Sequence, residues 1–106
     1  MRRDAATLLL RALCVNFVNL TVEEVKSHNW ASATFVGARH VIVLRFDGEG
    51  AAAAADHFLD SLEEREFDLR NHFLADIGPV ARADAIGPNG EAQVRISVEA
   101  LTVETD

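Results

Sequence analysis

The stretch from Asn29 to Phe46 constrains the fold most strongly, because it has the pattern of a β-hairpin. Two arms rich in β-branched and aromatic residues flank the pair Gly37-Ala38. A two-residue loop that opens with glycine is typical of a type II′ turn. This turn predicts pairs across the hairpin that include Val36 with Arg39, Phe35 with His40 and Trp30 with Arg45.

Side chains alternate between the two faces of a strand, so this register divides the hairpin into a core face and an outer face. The core face carries Ala31, Ala33, Phe35, His40, Ile42, Leu44 and Phe46. The outer face carries Ser32, Thr34 and Arg39 together with Trp30, Val36, Val41, Val43 and Arg45. Two interpretations of the five residues from Trp30 to Arg45 in that list remain open. Either Trp30 is shielded by Arg45 or a loop, or the five residues form an interaction surface.

Helical patterns precede and follow this hairpin. Residues 4 to about 17 have apolar residues at helical spacing after a capping Asp4. The run from Ala51 to about Glu66 begins with five alanines, which have the highest helix propensity. We expect the alanine end of this second helix to pack on the small residues Ala31 and Ala33. Leu20 to His28 fits either a strand that continues into the hairpin or a helix with a capping box, and we favour the strand.

A second hairpin is predicted near the C-terminus. His72 to Ala85 and Glu91 to Val103 have strand character, and Asn89-Gly90 between them is a strong hairpin signal. Gly78-Pro79 predicts a bulge or an edge position, because proline has no N–H to donate. With Asn89-Gly90 as the loop, the predicted pairs are Ala85 with Val94, Ala83 with Ile96, Ala81 with Val98 and Asp84 with Arg95.

The resulting order is helix, a possible short strand, hairpin, helix and hairpin within one domain, residues 1–106. It predicts an α+β two-layer sandwich, with two helices on one face of an antiparallel sheet of four to five strands. In connectivity this resembles a circularly permuted ferredoxin-like fold or the acidic chaperones of type III secretion. Such an analogy of topology implies no function.

Composition limits the classes of function. The 106 residues carry a net charge of −7, which disfavours nucleic acid and anionic membrane surfaces as partners. No apolar run approaches the roughly 20 residues of a membrane helix. Cys14 is the single cysteine, so a disulfide within the chain is impossible, and we expect a reducing, cytoplasmic setting.

The sequence has no phosphate-binding loop, no nucleophile elbow and no cysteine pair for zinc, so we predict no cofactor, no metal and no catalytic residues. One polar centre remains a hypothesis. If the two hairpins are neighbours, His40 meets His72 or Asp76, and a carboxylate beside a histidine forms an acid–base pair or part of a ligand site. The alternative is a structural histidine and a surface aspartate.

The pattern Trp30-Ala-Ser-Ala-Thr-Phe35-x-Gly37-x-Arg39-His40, with His72-x-x-Ala-Asp76 and Glu99-Ala-Leu-Thr-Val103-Glu104, resembles a family of small uncharacterised bacterial proteins. This resemblance covers residues from about 25 onward and implies no activity. Two function hypotheses therefore follow from the residues alone. The first is a non-enzymatic interaction module that forms a homodimer. The second is a small-molecule-binding or metal-binding domain, or an enzyme, centred on His40, His72 and Asp76.

Overall fold

The computed structural model describes residues 4–15, 17, 19–62, 65, 67 and 69–105. Within these residues, two helices and four strands follow one another: α1 (Ala5–Cys14), β1 (Leu20–Ala31), β2 (Val36–Asp47), α2 (Ala51–Leu62), β3 (His72–Ile86) and β4 (Ala92–Glu104). The predicted α+β class with an antiparallel sheet is confirmed. Leu20 to His28 is part of β1, so the segment is a strand and continues into the first hairpin.

The strand order in the sheet is β1-β2-β4-β3, and every neighbouring pair is antiparallel. Both helices lie on one face of the sheet, and one apolar core fills the space between them. From the sheet this core takes Ile42, Leu44, Phe46, Val94, Ile96, Val98 and Ala100, and from the helices Leu9, Leu13, Ala51, Ala55, Phe58 and Leu62. We call the opposite face of the sheet the outer face. Within the described residues, neither helix is long and apolar enough to cross a membrane.

Helix α1 begins as the sequence predicts. Asp4 has extended backbone dihedrals, and its carboxylate accepts a 2.8 Å hydrogen bond from the N–H of Thr7, which satisfies a donor that the helix itself leaves unpaired. Leu9 and Leu13 are fully buried. The helix ends at Cys14, before the predicted end near residue 17, because the backbone of Val15 is already extended.

Helix α2 packs through Ala51, Ala55, Phe58 and Leu62 on the central strands. The ring of Phe58 meets that of Phe46 edge to face, with centroids 5.7 Å apart. The prediction that its alanines pack on Ala31 and Ala33 is wrong, since both of these residues are exposed. The predicted end of this helix, Glu66, lies outside the described residues.

The first hairpin turns four residues earlier than predicted. The turn is Ser32 to Phe35, closed by a 2.7 Å hydrogen bond from the N–H of Ser32 to the carbonyl of Phe35. The hydroxyl of Ser32 also accepts from the N–H of Phe35 at 3.0 Å. Gly37 is therefore part of β2, where it pairs with Trp30. Trp30 does not lie opposite Arg45, and Phe35 is a half-exposed turn residue rather than a core residue.

Most residues of the first hairpin still lie on the face that was predicted for them, because the register shift moves each partner by an even number of residues. His40, Ile42, Leu44 and Phe46 lie on the helix-covered face and are buried, as expected. Trp30 shares the outer face with Arg39, Val41, Val43 and Arg45, by their pairing in the ladders. Val36 is an exception: it pairs with Ala31, and it follows the alternation of Ala38 and His40 on the helix-covered side.

The second hairpin is offset by one residue from the prediction. The N–H of Gly87 bonds to the carbonyl of Glu91 at 2.7 Å, so the loop spans residues 87–91 rather than Asn89-Gly90 alone. The observed pairs are Ala85 with Gln93, Asp84 with Val94, Ala83 with Arg95, Arg82 with Ile96 and Ala81 with Ser97. A shift of one residue exchanges the faces. The three alanines consequently lie on the outer face, and Arg82 lies on the helix side, where it pairs with Asp56 of α2.

Strand β3 is an edge strand with two irregularities, one between Leu74 and Asp76 and one between Pro79 and Ala81. The prediction of a bulge or edge position at Gly78-Pro79 is confirmed. Each irregularity adds an unpaired residue and changes which face the following side chains occupy.

Candidate functional site

A cavity of about 830 Å³ lies where the N-terminus of α1 meets one end of the sheet. Its walls come from α1, from the hairpin of β1 and β2, and from β3 and β4. The polar or charged residues of its lining are Asp4, Ser27, Asn29, His40, His72, Thr102 and Glu104. We call this space the His40 cavity. Its volume is in the range of pockets that hold small organic ligands.

His40 is the polar centre of this cavity, and only 1% of its surface is exposed. Its Nδ1 lies 2.7 Å from the hydroxyl oxygen of Ser27 on β1. Its Nε2 lies 2.9 Å from the hydroxyl oxygen of Thr102 on β4. The ladders set both contacts, because Ser27 pairs directly with His40 and Thr102 pairs with Ala38. A buried imidazole needs such partners, since an unpaired polar group in the core is costly.

The hydroxyl of Thr102 indicates which ring nitrogen of His40 donates and which accepts a hydrogen bond. The hydroxyl of Thr102 donates to the carbonyl of Ala38 at 3.3 Å. A hydroxyl has a single proton, so Thr102 accepts from Nε2–H of His40. A neutral imidazole has one N–H, and Nδ1 is left as an acceptor for the hydroxyl proton of Ser27. These contacts favour the tautomer of His40 that carries its proton on Nε2.

Burial and two titratable groups, Asp4 and His72, act on the pKa of this imidazole. Burial is the main cause that lowers the pKa of His40 below its ordinary value of 6.5, and His72 lowers that pKa further. The carboxylate of Asp4, at the N-terminus of α1, raises it. Burial outweighs the effect of Asp4, so the ring is neutral at neutral pH and keeps the lone pair on Nδ1.

The structure places His40 and His72 on the same cavity wall. His72 is the first residue of β3 and pairs with Glu104 on the helix-covered side. Its Nδ1–H donates to the carbonyl of Arg70 at 2.8 Å. Nε2 is thus the ring nitrogen that is left to meet a ligand.

Asp76, the third residue of the predicted centre, does not line the His40 cavity. The register shift between Leu74 and Asp76 turns its side chain to the outer face, opposite Leu101. His72 and Asp76 would share one face in a regular strand, but the extra residue at this register shift places them on opposite faces. The carboxylate that acts on His40 comes instead from Asp4.

The sequence alone assigns no role to Ser27 or Thr102. The predicted turn placed Phe35 opposite His40, so Ser27 was several residues from its true partner. The sequence does contain a signal for the correct position of the first turn, namely Ser32. Ser32 has a hydroxyl that bonds to backbone N–H groups two and three residues later, a known preference of serine in turns.

The outer face has a different chemistry, dominated by ion pairs. Glu23 extends from the irregularity between Val22 and Glu24. Its carboxylate accepts from Arg95 Nε at 2.6 Å and from Arg45 Nη1 at 2.8 Å. Hydrogen bonds from Arg95 and then Arg45 keep the pKa of Glu23 below its ordinary value. These arginines face each other across β2 and β4, so Glu23 neutralises two adjacent positive charges.

Further along the outer face, Arg39 forms an ion pair with Glu99. The indole of Trp30 covers Gly37, and its Nε1–H is buried without a hydrogen-bond partner among the described residues. Basic and acidic groups thus alternate beside the apolar side chains of Val41 and Val43.

In the part of the chain that the structure describes, no group of three or more His, Cys, Asp or Glu residues is arranged to hold a metal ion. No protein-family model matches the chain, and no similar protein was found among curated proteins or solved structures.

Proposed function

We propose that this chain binds a small organic molecule in the His40 cavity. One observation supports this most strongly: a fully buried histidine, held by two hydroxyl groups, forms the wall of a cavity of about 830 Å³. A few convergent polar groups in a large concavity are the usual mark of a ligand site. An imidazole in an otherwise apolar core also has a desolvation cost, which a role in binding would explain.

The lining indicates the charge of the ligand. Asp4 and Glu104 place carboxylates at the cavity, which disfavour an anionic ligand. Ser27, Asn29 and His72 supply hydrogen-bonding groups at the same wall. Among anionic and uncharged ligands, we therefore propose an uncharged molecule with carbonyl or hydroxyl groups.

A nitrogen-15 NMR titration with a panel of small neutral and anionic compounds tests the proposal. We expect neutral carbonyl compounds to shift the amide signals of Ser27, Asn29 and Thr102, while their anionic analogues bind more weakly. Ala31 lines the cavity and Ala33 lies in the neighbouring turn, outside it. Ala31→Trp should block these shifts, whereas Ala33→Trp should leave them. Shifts that are absent, or confined to the outer face, would reject the cavity as a ligand site.

A second candidate function, self-association into a homodimer, is favoured by the outer face of the sheet, on which neither described helix lies. Val41, Val43 and Arg45 of the predicted surface lie on this face, and Trp30 lies at its end, where it also lines the His40 cavity. The chain has a net charge of −7, but ion pairs such as Arg39–Glu99 balance the charge on this face. Two copies can therefore approach face to face without strong repulsion. Val36, at 46% exposure, is on the other side and takes no part.

Sedimentation velocity over a range of protein concentrations tests this second candidate. Val43→Glu would place a charge at the centre of the contact and should shift the equilibrium toward monomer. Val80→Glu is the matched control, because Val80 is 58% exposed on the edge strand β3. A wild-type chain that remains monomeric at the highest concentration would exclude self-association.

We also propose a cytoplasmic setting, on the basis of the one free cysteine, Cys14.

A further inference from the structure

We infer that Ser27 and His40 form a nucleophile–base pair that hydrolyses uncharged carboxylic esters in the His40 cavity. This inference rests on the proposed function, because it needs a ligand in that cavity. The geometry is that of an activated hydroxyl: Ser27 Oγ lies 2.7 Å from His40 Nδ1. A nucleophile and a base within hydrogen-bond distance, with the base oriented by a third group, define this kind of site.

Thr102 is the third group, and it acts as a positioning residue. By accepting from Nε2–H and donating to the carbonyl of Ala38, it keeps the lone pair of His40 on Nδ1, toward Ser27. A hydroxyl stabilises a charged imidazolium less than a carboxylate does. Asp4 supplies part of that missing negative charge from across the cavity, as its effect on the pKa of His40 indicates.

The nucleophile Ser27 is accessible to solvent and the base His40 is not, as a nucleophile–base pair requires. Ser27 is exposed, so its hydroxyl can reach an ester that enters the cavity. His40 lies beneath it and is almost fully buried. The imidazole is thus screened from bulk water while the nucleophile is not.

The reaction has two balanced steps. In the first, Ser27 Oγ attacks the ester carbonyl carbon, its proton passes to His40 Nδ1, and the C–O bond to the alcohol breaks. The imidazolium returns this proton to the departing alcohol. In the second, His40 Nδ1 takes a proton from water, the hydroxide oxygen bonds to the acyl carbon, and the bond to Ser27 Oγ breaks. Ser27 regains the proton, and a carboxylic acid is released.

In this inference the stabilisation of the negative oxygen that forms in each step is assigned to the N-terminus of α1. Ala5 and Ala6 line the cavity, and the first-turn N–H groups of a helix have no carbonyl partner within that helix. The positive end of the helix dipole adds to their effect on a developing oxyanion.

Labelling with a fluorophosphonate, followed by mass spectrometry of peptides, tests the inference. We expect covalent modification of Ser27, and we expect Ser27→Ala and His40→Gln to reduce the rate of p-nitrophenyl acetate hydrolysis by about 100-fold or more. Ser97→Ala is the control, since Ser97 lies on the outer face. Thr102→Val should lower the rate and alter its pH profile, and Thr102→Ser should restore both.

The outcomes separate this inference from the proposed function. Neutral compounds that shift the cavity amides, together with an unlabelled Ser27 in the folded protein, would overturn the nucleophile assignment and leave the binding site intact. Labelling that persists in His40→Gln at the wild-type rate would overturn the role of His40 as the base. An absence of both binding and labelling would overturn the two proposals together.

Discussion

The indole of Trp30 lies directly over Gly37, its partner across the first hairpin. A Cβ on Gly37 would meet the ring of Trp30 at 2.8 Å and would also collide with the backbone carbonyl of Thr102 on β4. The carbonyl is fixed by the ladder, so it cannot move as a flexible side chain would. Glycine is thus required here for close packing of three strands, and not for a turn.

Gly37→Ala should therefore lower the free energy of unfolding by about 1–3 kcal/mol, the range of overpacked sites. Gly78→Ala is the matched control, because a Cβ on Gly78 meets nothing within 4 Å. We expect that control to be neutral or to stabilise by about 0.4–1 kcal/mol, since alanine restricts the unfolded chain. Urea denaturation followed by the fluorescence of Trp30, the single tryptophan, measures both. Equal stabilities for the two variants would contradict the packing argument.

Thr102→Val should destabilise the fold although the two side chains have nearly the same shape. Valine leaves Nε2–H of His40 buried without an acceptor, which costs about 1–3 kcal/mol. Thr21→Val is a suitable control, because Thr21 is exposed on β1. Thermal or urea unfolding measures the difference. A Thr102→Val variant as stable as the wild type would show that the hydroxyl is not needed by His40.

The stability of the fold should decrease as the pH falls below the ordinary histidine pKa. His40 has a lowered pKa in the folded state, mainly because it is buried, so the unfolded chain binds a proton more readily. Its contribution is complete above about 6.5, the unfolded value, and is lost as the pH falls through the folded pKa. NMR titration of the His40 ring in folded and urea-unfolded chains measures this difference. A folded pKa at or above the unfolded one would reverse the expected sign.

Glu23→Gln should destabilise the outer face by removing the charge between Arg45 and Arg95. The two guanidinium groups then face each other without a counterion, and like charges directly opposite in a sheet are unfavourable. The loss should shrink at high salt, which screens exposed charges. Since the folded pKa of Glu23 is lowered, its contribution is present at neutral pH and disappears on acidification below its ordinary 4.5. Glu24→Gln, which affects only the exposed pair with Lys26, should have little effect in the same urea unfolding assay.

Much of the fold follows from patterns that a register error does not alter. The alternation along β2 places His40, Ile42 and Phe46 in the core whichever residues form the turn. An error of an even number of residues in the first hairpin therefore left these assignments correct. In the second hairpin the loop contains an odd number of additional residues, and the same reasoning paired Ala83 with Ile96 and Asp84 with Arg95, one residue away from their partners in the structure.

The candidate site depends on register itself, and local patterns do not determine it. Ser27 meets His40 only if the turn lies at Ser32–Phe35. Thr102 reaches the same ring because β4 pairs with β2, a contact between residues more than sixty positions apart in the chain. Asp4 joins them through the packing of α1. No spacing in the sequence relates these three strands and one helix to each other.

The order of the strands has a consequence for how the molecule is assembled. β4 is the last of the four strands along the chain, yet it fills the gap between the two edges that β2 and β3 would otherwise present. While Ala92 to Glu104 of a nascent chain are still inside the ribosome, the β1–β2 hairpin and β3 therefore have no strand to join them into one sheet. The wall of the His40 cavity is then still incomplete. The binding and hydrolysis that we propose at His40 therefore require β4 to have docked.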